Sequence, residues 1–516
     1  MTPTQAIELL VAFSVEHGLI QAEDVRYTRN ILLYAIGLSE PSPAFDEGPL
    51  PDLPPTATPM LKVLVEHVVL SGAIVDMAFY REQLSAHLMN LLTPPPSQLI
   101  RTFESIRGWE GVRAATDWFY HISRMSDYIR VDQIERNIVM VEPSPYGDLQ
   151  ITINLSKPEK DPNEIARAKY SFGTEYPKCM LCVENEGYAG RPAYPSHETL
   201  RMIPIELNAE PWYFQYSPYS YYPEHCIVLN KQHTVMTISR RTFQLLLDFL
   251  DHFPHYFISS NADLPIVGGS ILSHEHFQGG RHEFPMDKAP AYASFRHPEY
   301  PGVTIEAVEW PMTCVRLSSQ DPRPLVALGG QILDAWCAYD DEDHEILHET
   351  DGIAHSTITP VARRTADGTY ILQLVLRNNR TSAKHPLGIF HPHRELHHIK
   401  RENIGVIEVM GLFILPGRLL NELGQMRGYL TGEKPMVPPA PTNAMAQHYP
   451  WIESLRAEHP EDVTEEEASR IIRSALSGIC AKILEHAGVF KLTYAGKAGL
   501  AKFLKSVGFL QEGFTL

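Results

Sequence analysis

Two histidines and a glutamine alternate within the segment Gly268–Gly280. His274, His276 and Gln278 are separated by single residues, so in an extended strand all three would share one face. The flanking glycines would let a ligand approach the backbone closely. A neutral imidazole can attack an anionic phosphorus centre, and an amide can hold the oxygens of that centre. The spacing alone also fits two surface histidines in a glycine-rich loop, so it leaves both interpretations open.

A second candidate is the C-x-x-C pair formed by Cys179 and Cys182. Such a pair is half of a zinc site, and without a second pair the other two ligands would have to be histidines. A reduced thiol pair or a redox motif is the alternative. A disulfide framework is not expected in a long chain without a secretion signal, which indicates a reducing, cytoplasmic compartment. The remaining cysteines are isolated and are expected to be buried thiols: Cys226, Cys314, Cys337 and Cys480.

The third candidate is the histidine-rich run Phe390–Asn403, which holds four histidines in eight residues. These could bind a metal, although a solvated polar loop would have the same composition. The run leads into Ile404–Leu415, an apolar segment that we expect to be a strand. Its single carboxylate, Glu408, would be costly to bury without a partner. We therefore expect Glu408 to be paired or to contact a ligand.

The elements that position these residues predict an α+β protein with mainly antiparallel sheets. Apolar residues recur at helical spacing up to about residue 135, and short β-rich runs follow from about residue 138. Thr2 with Gln5 and Thr464 with Glu467 have the spacing of helix N-terminal caps. We expect four parts: a helical region 1–135, a half with the C-x-x-C pair at 136–245, a half with H-x-H-x-Q and H-x-H at 246–433, and a helical tail 434–516.

Composition and net charge limit the classes of function that the chain can have. The chain has 516 residues, is 44% hydrophobic and has a formal net charge of −18. An acidic chain is a poor candidate for nucleic-acid binding, which depends on clustered Lys and Arg. A small anionic ligand remains possible in a local pocket. No membrane span is expected, because the most apolar stretch, Gly405–Pro416, is too short and contains Glu408.

The order of these motifs resembles the galactose-1-phosphate uridylyltransferases, which are relatives of the histidine-triad nucleotide-binding proteins. The C-x-x-C pair is followed by a strand-like run that ends at His233, then by H-x-H-x-Q, then by H-x-H before an apolar segment. The closest likeness is to the longer class, also called UDP-glucose–hexose-1-phosphate uridylyltransferase. It covers roughly residues 90–430 and extends to three further runs: Ile153–Pro162, Gln215–Tyr219 and His397–Gly405.

The resemblance implies two histidine-triad-like halves and a ping-pong transfer of UMP in galactose metabolism. His276 would attack UDP-glucose, release glucose 1-phosphate and pass the UMP to galactose 1-phosphate. Gln278 would hold the phosphoryl oxygens without activating water. The shorter class has prolines at the positions of Glu275 and Phe277, but the histidine spacing is kept.

The same resemblance implies further site residues and a homodimer. Zinc would be held by Cys179, Cys182, His233 and His274, and a second metal could lie near His391 and His393. Glu408 would contact sugar hydroxyls. The residues implied for nucleotide binding are Asn208, Asn261, Gly269 and Ser270.

Two other functions compete with this one. A histidine-triad-like hydrolase or phosphorylase of dinucleoside polyphosphates would release nucleotide without a sugar phosphate, and Gln278 argues against it. A zinc-stabilised binding protein would need Cys179 and Cys182 but neither His276 nor Glu408. We favour the transferase because all three motifs keep their spacing.

Overall fold

The computed structural model of the protein describes residues 1–42, 52–155, 176–192, 194–269 and 271–514. The chain forms two compact units, and each combines segments that are distant in sequence. Unit 1 comprises Met1–Arg136 and Lys160–Thr234. Unit 2 comprises Asn137–Glu159 and Val235–Leu516.

Unit 1 is a group of helices with one small antiparallel sheet. The first helix begins as expected, because the Thr2 hydroxyl accepts from the Gln5 N–H and the Gln5 side chain accepts from the Thr2 N–H. The strands are β3 (Ile203–Leu207), β4 (Glu210–Tyr216) and β5 (Cys226–Asn230), with β4 between the other two. The helices are Pro3–Glu16, Val25–Ala35, Thr58–Leu70, Ala78–Asn90, Pro96–Glu110, Val112–Met125 and Val131–Ile134, with 3-10 turns at Ala22–Asp24 and Val183–Asn185.

Unit 2 contains a long antiparallel run of strands and a smaller mixed sheet. The strands are β1 (Ile138–Ser144), β2 (Gly147–Asn154), β6 (Phe257–Ser259), β7 (His276–Gly280), β8 (Ala291–Arg296), β9 (Thr304–Val308), β10 (Cys314–Ser319), β11 (Glu349–Thr350), β12 (Ile353–Ala354), β13 (Ser356–Arg364), β14 (Tyr370–Asn378), β15 (Leu412–Pro416) and β16 (Leu510–Phe514). The long run has the order β16-β8-β9-β10-β14-β13-β6-β7, and all of these pairings are antiparallel. In the smaller sheet β2 pairs antiparallel with β1 and parallel with β15.

Helices cover the long run of strands. Arg240–His252 packs on β13 and on the helix Pro322–Trp336. Gly329 permits that close approach, because a Cβ there would lie 2.9 Å from the Phe243 ring. The other helices of unit 2 are Pro285–Lys288, Val406–Val409, Arg418–Leu430, Tyr449–Glu458, Glu465–Ala487 and Tyr494–Ser506, with 3-10 turns at Glu342–His344, Arg394–Leu396 and Ala444–Gln447.

The structure confirms the α+β class, the largely antiparallel sheets and the helices at both ends of the chain. Thr464 also caps its helix as expected. Two local expectations are wrong, because Ile404–Leu415 is a short helix followed by β15 rather than one strand, and Cys337 is exposed rather than buried. The helical tail also contains one strand, β16, which the sequence analysis did not predict.

None of the helices in the described ranges combines the length and the apolar run that a bilayer span needs. The division into four parts stays a prediction.

Candidate active site

His276 is the first residue of β7 and is buried. Its Nδ1 lies 2.8 Å from the carbonyl oxygen of His274. A carbonyl can only accept, so Nδ1 carries the proton and Nε2 carries the lone pair. Burial lowers the pKa of His276 to about 4, although the His274 carbonyl acts in the opposite direction. The ring is therefore neutral near pH 7, which is the form that a nucleophile requires.

The residues beside His276 are held in place from both sides of the strand. Glu275 is buried and accepts two hydrogen bonds from Arg241, at 2.7 and 3.2 Å. Phe277 is buried in the apolar interior. Gln278 is half-buried and lies opposite Ser259 of β6, whose hydroxyl donates to the Gln278 carbonyl at 2.9 Å. The strand begins at His276, so the expectation that His274 also belongs to it is wrong.

Cys179, Cys182 and His233 come together in unit 1. The Cys182 Sγ lies 3.5 Å from the Cys179 Sγ and 3.1 Å from the His233 Nδ1. Two thiolates about 2.3 Å from a zinc ion at the tetrahedral angle would be about 3.8 Å apart, so the spacing fits a shared metal. Burial and the neighbouring Cys179 raise the pKa of Cys182 to about 12, which argues against an activated redox thiol. The expected group that could hold a metal is thus confirmed for these three residues.

The loop that carries the two cysteines is fixed by Asn185, which the sequence analysis did not identify. Its amide donates at 2.8 Å to the carbonyls of both Cys179 and Cys182. Tyr194 donates to the Asn185 side chain at 2.7 Å and to the Cys179 carbonyl at 3.0 Å. These bonds hold the backbone on either side of the thiols, as supporting residues do around metal ligands. His274, the fourth expected ligand, belongs to unit 2.

Asn261, Gly269 and Glu408 form one polar cluster in unit 2. The Asn261 Oδ1 accepts from the N–H of Val406, the first residue of the short helix that carries Glu408, at 2.9 Å. A Cβ on Gly269 would lie only 2.6 Å from the Asn261 amide nitrogen, so glycine is required there. A Cβ on Gly405 would lie 3.3 Å from Glu408 and 3.5 Å from Asn261. Three of the five residues expected to bind substrate therefore adjoin each other.

Glu408 is paired, as its apolar surroundings predicted. Its Oε1 lies 3.0 Å from the Nζ of Lys400, and only 11% and 8% of the two side chains are exposed. Burial lowers the pKa of Lys400, but the carboxylates of Glu408 and Glu402 more than offset this, so the pKa ends above its ordinary value. Lys400 therefore stays charged and holds Glu408 in a fixed position.

The other two residues expected to bind nucleotide are Asn208 and Ser270, and neither belongs to this described cluster. Asn208 and Ala209 form the two-residue turn between β3 and β4, with φ of 49° and 59°. This turn favours Asn for its backbone conformation, so Asn208 has a structural explanation. Ser270 lies outside the described residues.

The two histidines expected near a second metal lie in different surroundings. His391 is buried, and its Nδ1 donates to the Pro392 carbonyl at 3.0 Å. His393 is grouped with Glu395 and His486, and its ring stacks on that of His486 at 4.1 Å. His486 Nδ1 already accepts from the His393 N–H at 3.2 Å. That bond places the proton of a neutral ring on Nε2, the nitrogen nearer Glu395, so this group suits a metal less well than the cysteine group.

Comparison with known proteins shows which family the chain resembles. Residues 72–235 match the family model of the galactose-1-phosphate uridyl transferase N-terminal domain, and residues 249–432 match that of the C-terminal domain. No solved structure matches the chain.

Curated relatives are similar over almost their whole length. A protein named galactose-1-phosphate uridylyltransferase from Caldanaerobacter subterraneus subsp. tengcongensis is 47% identical over 98% of both chains. Proteins with the same name from Bacillus subtilis and Clostridium acetobutylicum are each 45% identical, covering 98% and 96% of this chain and 98% of their own. The chain therefore belongs to the galactose-1-phosphate uridylyltransferase family, a family of nucleotidyltransferases, as its motifs predicted.

Proposed function

We propose that the protein transfers UMP between UDP-glucose and galactose 1-phosphate by a ping-pong reaction through a uridylyl-histidine. The observation that carries this proposal is the state of His276. The ring is buried and neutral, and its Nδ1 proton is committed to the His274 carbonyl. The basic lone pair is therefore on Nε2, where it can attack phosphorus. The names of the curated relatives support UMP transfer in galactose metabolism.

In the first half-reaction, Nε2 of His276 forms a bond to the α-phosphorus of UDP-glucose. The bond from that phosphorus to the bridging oxygen breaks, and glucose 1-phosphate leaves with the electron pair. In the second half-reaction, a phosphate oxygen of galactose 1-phosphate attacks the same phosphorus and releases the neutral imidazole. The His274 carbonyl stabilises the positive charge that the ring carries while it holds UMP.

Gln278 is proposed to hold the oxygens of the transferred phosphoryl group through its amide N–H. An amide cannot accept a proton from water as an imidazole can, so the uridylylated enzyme would wait for the sugar phosphate. In the competing hydrolase, nucleotide release would not need a sugar phosphate. We expect Gln278→His to raise the rate of UMP release to water relative to transfer.

Zinc is the metal that the donor set of unit 1 favours, with Cys179, Cys182 and His233 as ligands and His274 proposed as the fourth. Bound there, it would supply a rigid structural centre rather than a chemical step. His274 would then be fixed two residues before the nucleophile, and its carbonyl would hold the His276 ring in one orientation.

The substrate contacts are proposals of the same kind. Glu408 is proposed to accept hydrogen bonds from sugar hydroxyls, because it is a buried carboxylate that Lys400 holds in place. The nucleotide is proposed to contact Asn208, Asn261, Gly269 and Ser270. The homodimer and the cytoplasmic location stay predictions.

The test is a labelling experiment with UDP-glucose that carries the isotope in uridine or, in a parallel sample, in glucose. We expect the denatured protein to retain only the uridine label and His276→Gly to retain neither. His348→Gly is a control, because His348 is a half-exposed histidine that pairs with Asp340. Full labelling and transfer by His276→Gly would show that another residue is the nucleophile.

A further inference from the structure

Arg377 of β14 is a completely buried cation that forms no ion pair with a carboxylate among the residues that the structure describes. Only 1% of the residue is exposed. Its Nη1 donates to the Thr359 hydroxyl at 3.1 Å, and its Nη2 donates to the Ile404 carbonyl at 3.0 Å. Its Nε has no hydrogen-bond partner in the described part of the chain. A buried guanidinium in such a setting costs free energy, so its presence calls for an explanation.

The charges around Arg377 do not balance. Burial lowers the pKa of Arg377 to about 10, and Glu408, which acts in the opposite direction, already forms an ion pair with Lys400 at 3.0 Å. Glu402 also lies 3.7 Å from Lys400, but 67% of its side chain is exposed and water screens its charge. His391 also senses the charge of Arg377, but an imidazole is never negatively charged and cannot balance it. Two buried cations thus share one buried carboxylate.

We infer that Arg377 determines specificity at the sugar subsite, where its unbalanced charge favours hexoses that carry a phosphate over hexoses that do not. This inference rests on the proposed function, because it takes Glu408 to be the residue that contacts the sugar. The whole chain has a formal net charge of −18 and repels anions. A buried positive charge beside Glu408 offsets this repulsion locally, since the field of a charge is strongest where water is excluded.

Arg377 acts through position and field rather than by touching the hexose. Its bond to the Ile404 carbonyl fixes the backbone four residues before Glu408. Asn261 holds the same segment at Val406. Arg377 therefore contributes both the position of the segment and the charge behind it.

A specificity role and a purely structural role for Arg377 predict different effects of its replacement on stability. Arg377 is not the hydrogen-bonded partner of Glu408, so an apolar side chain of similar volume would remove a costly buried charge and leave the Glu408–Lys400 pair intact. If Arg377 is retained for specificity, Arg377→Met should melt at or above the temperature of the wild-type protein while losing sugar phosphate affinity. If it is retained for structure, stability and affinity should fall together.

The experiment compares wild-type protein, Arg377→Met and Arg377→Lys. It measures melting temperature, binding of galactose 1-phosphate and of galactose by calorimetry, and KM for galactose 1-phosphate and UDP-glucose. We expect Arg377→Met to weaken galactose 1-phosphate binding at least about tenfold, the scale of one unit charge acting across about 10 Å of protein. Galactose binding should weaken less, because an uncharged sugar senses only the position of the Glu408 segment and not the charge behind it. The KM for UDP-glucose should rise less, because its sugar-linked phosphate has one charge fewer than the free phosphate ester.

Arg377→Lys keeps the charge and should retain most of the discrimination. Wild-type affinity for galactose 1-phosphate in Arg377→Met would overturn the inference, as would equal losses in both variants accompanied by lower melting temperatures. Failure of the wild-type protein to bind galactose 1-phosphate would instead overturn the proposed function and the inference with it.

Discussion

Gly269→Ala tests whether Asn261 positions the segment that carries Glu408. The new methyl group would lie 2.6 Å from the Asn261 amide nitrogen and 2.8 Å from its Cγ, against about 3.4 Å for an ordinary contact. Asn261 is only 5% exposed, so its side chain has little room to retreat. We expect it to rotate away from Val406, whose N–H it now accepts at 2.9 Å.

The magnitude follows from two terms. Overpacking a buried site by one methyl group costs about 1–3 kcal/mol. Leaving the buried N–H of Val406 without an acceptor costs a further 1–3 kcal/mol or so. Together they should lower the free energy of unfolding by about 2–6 kcal/mol, a large part of the roughly 5–15 kcal/mol typical of a protein domain. The KM for galactose 1-phosphate should rise as well, because Glu408 moves with its helix.

Urea unfolding with linear extrapolation measures the stability term, and initial rates measure the KM. Gly478→Ala is the matched control, because Gly478 lies within the helix Glu465–Ala487 and a Cβ there would meet no atom within 4 Å. Alanine should stabilise that helix by up to about 1 kcal/mol. If Gly269→Ala behaves like Gly478→Ala in both assays, Asn261 does not position the Glu408 segment.

Three further outcomes are expected. Cys182→Ser should reduce the metal bound per chain, measured by elemental analysis, whereas serine at the exposed Cys337 should not; equal metal contents would contradict the ligand assignment. Lys400→Met should lower the unfolding free energy by about 3–5 kcal/mol, because it removes the hydrogen-bonded partner of the buried Glu408 and leaves only the charge of Arg377 to offset that carboxylate. If Lys400→Met is as stable as the wild-type protein, Lys400 does not stabilise the buried Glu408. Burial raises the pKa of Asp127 from its ordinary 3.8 to about 6, so the stability that its neutral carboxyl contributes should be lost as pH rises from about 4 through 6. Asp127→Asn should then unfold at higher urea concentration at pH 8 but not at pH 3.5, and an equal difference at both pH values would refute this cause.

The sequence predicted well the features that depend on the spacing of a few neighbouring residues. The Thr2 and Thr464 caps begin two helices at the expected residues. Ile404–Leu415 was misjudged because a run that is apolar at nearly every position has the same composition in a buried helix turn and in a strand. β16 was missed because its Gln, Glu and Gly have little strand propensity, and pairing with β8 decides its conformation.

The sequence indicated candidate site residues where the spacing of a motif allows only a few kinds of chemistry. Neighbours at C-x-x-C and H-x-H-x-Q spacing can be read directly from the chain. Arg377 was missed because cations are mostly exposed, and only the register of β14 with β13 shows that this one faces the interior. The partner of Glu408 was likewise invisible, since Lys400 looks like any other residue of a polar loop until the fold buries it.

The parallel pairing of β2 with β15 has a consequence for synthesis on the ribosome. β2 ends at Asn154, and its partner strand begins at Leu412, so about half of the chain is translated between them. At about 5–20 residues per second, the nascent β2 strand would wait roughly 13–50 s for that neighbour. During this interval one edge of the β1–β2 hairpin has no β15 to bond, and an unpaired edge favours association between chains. Slower translation or chaperone depletion should therefore lower the yield of native enzyme before any effect on the finished protein is seen.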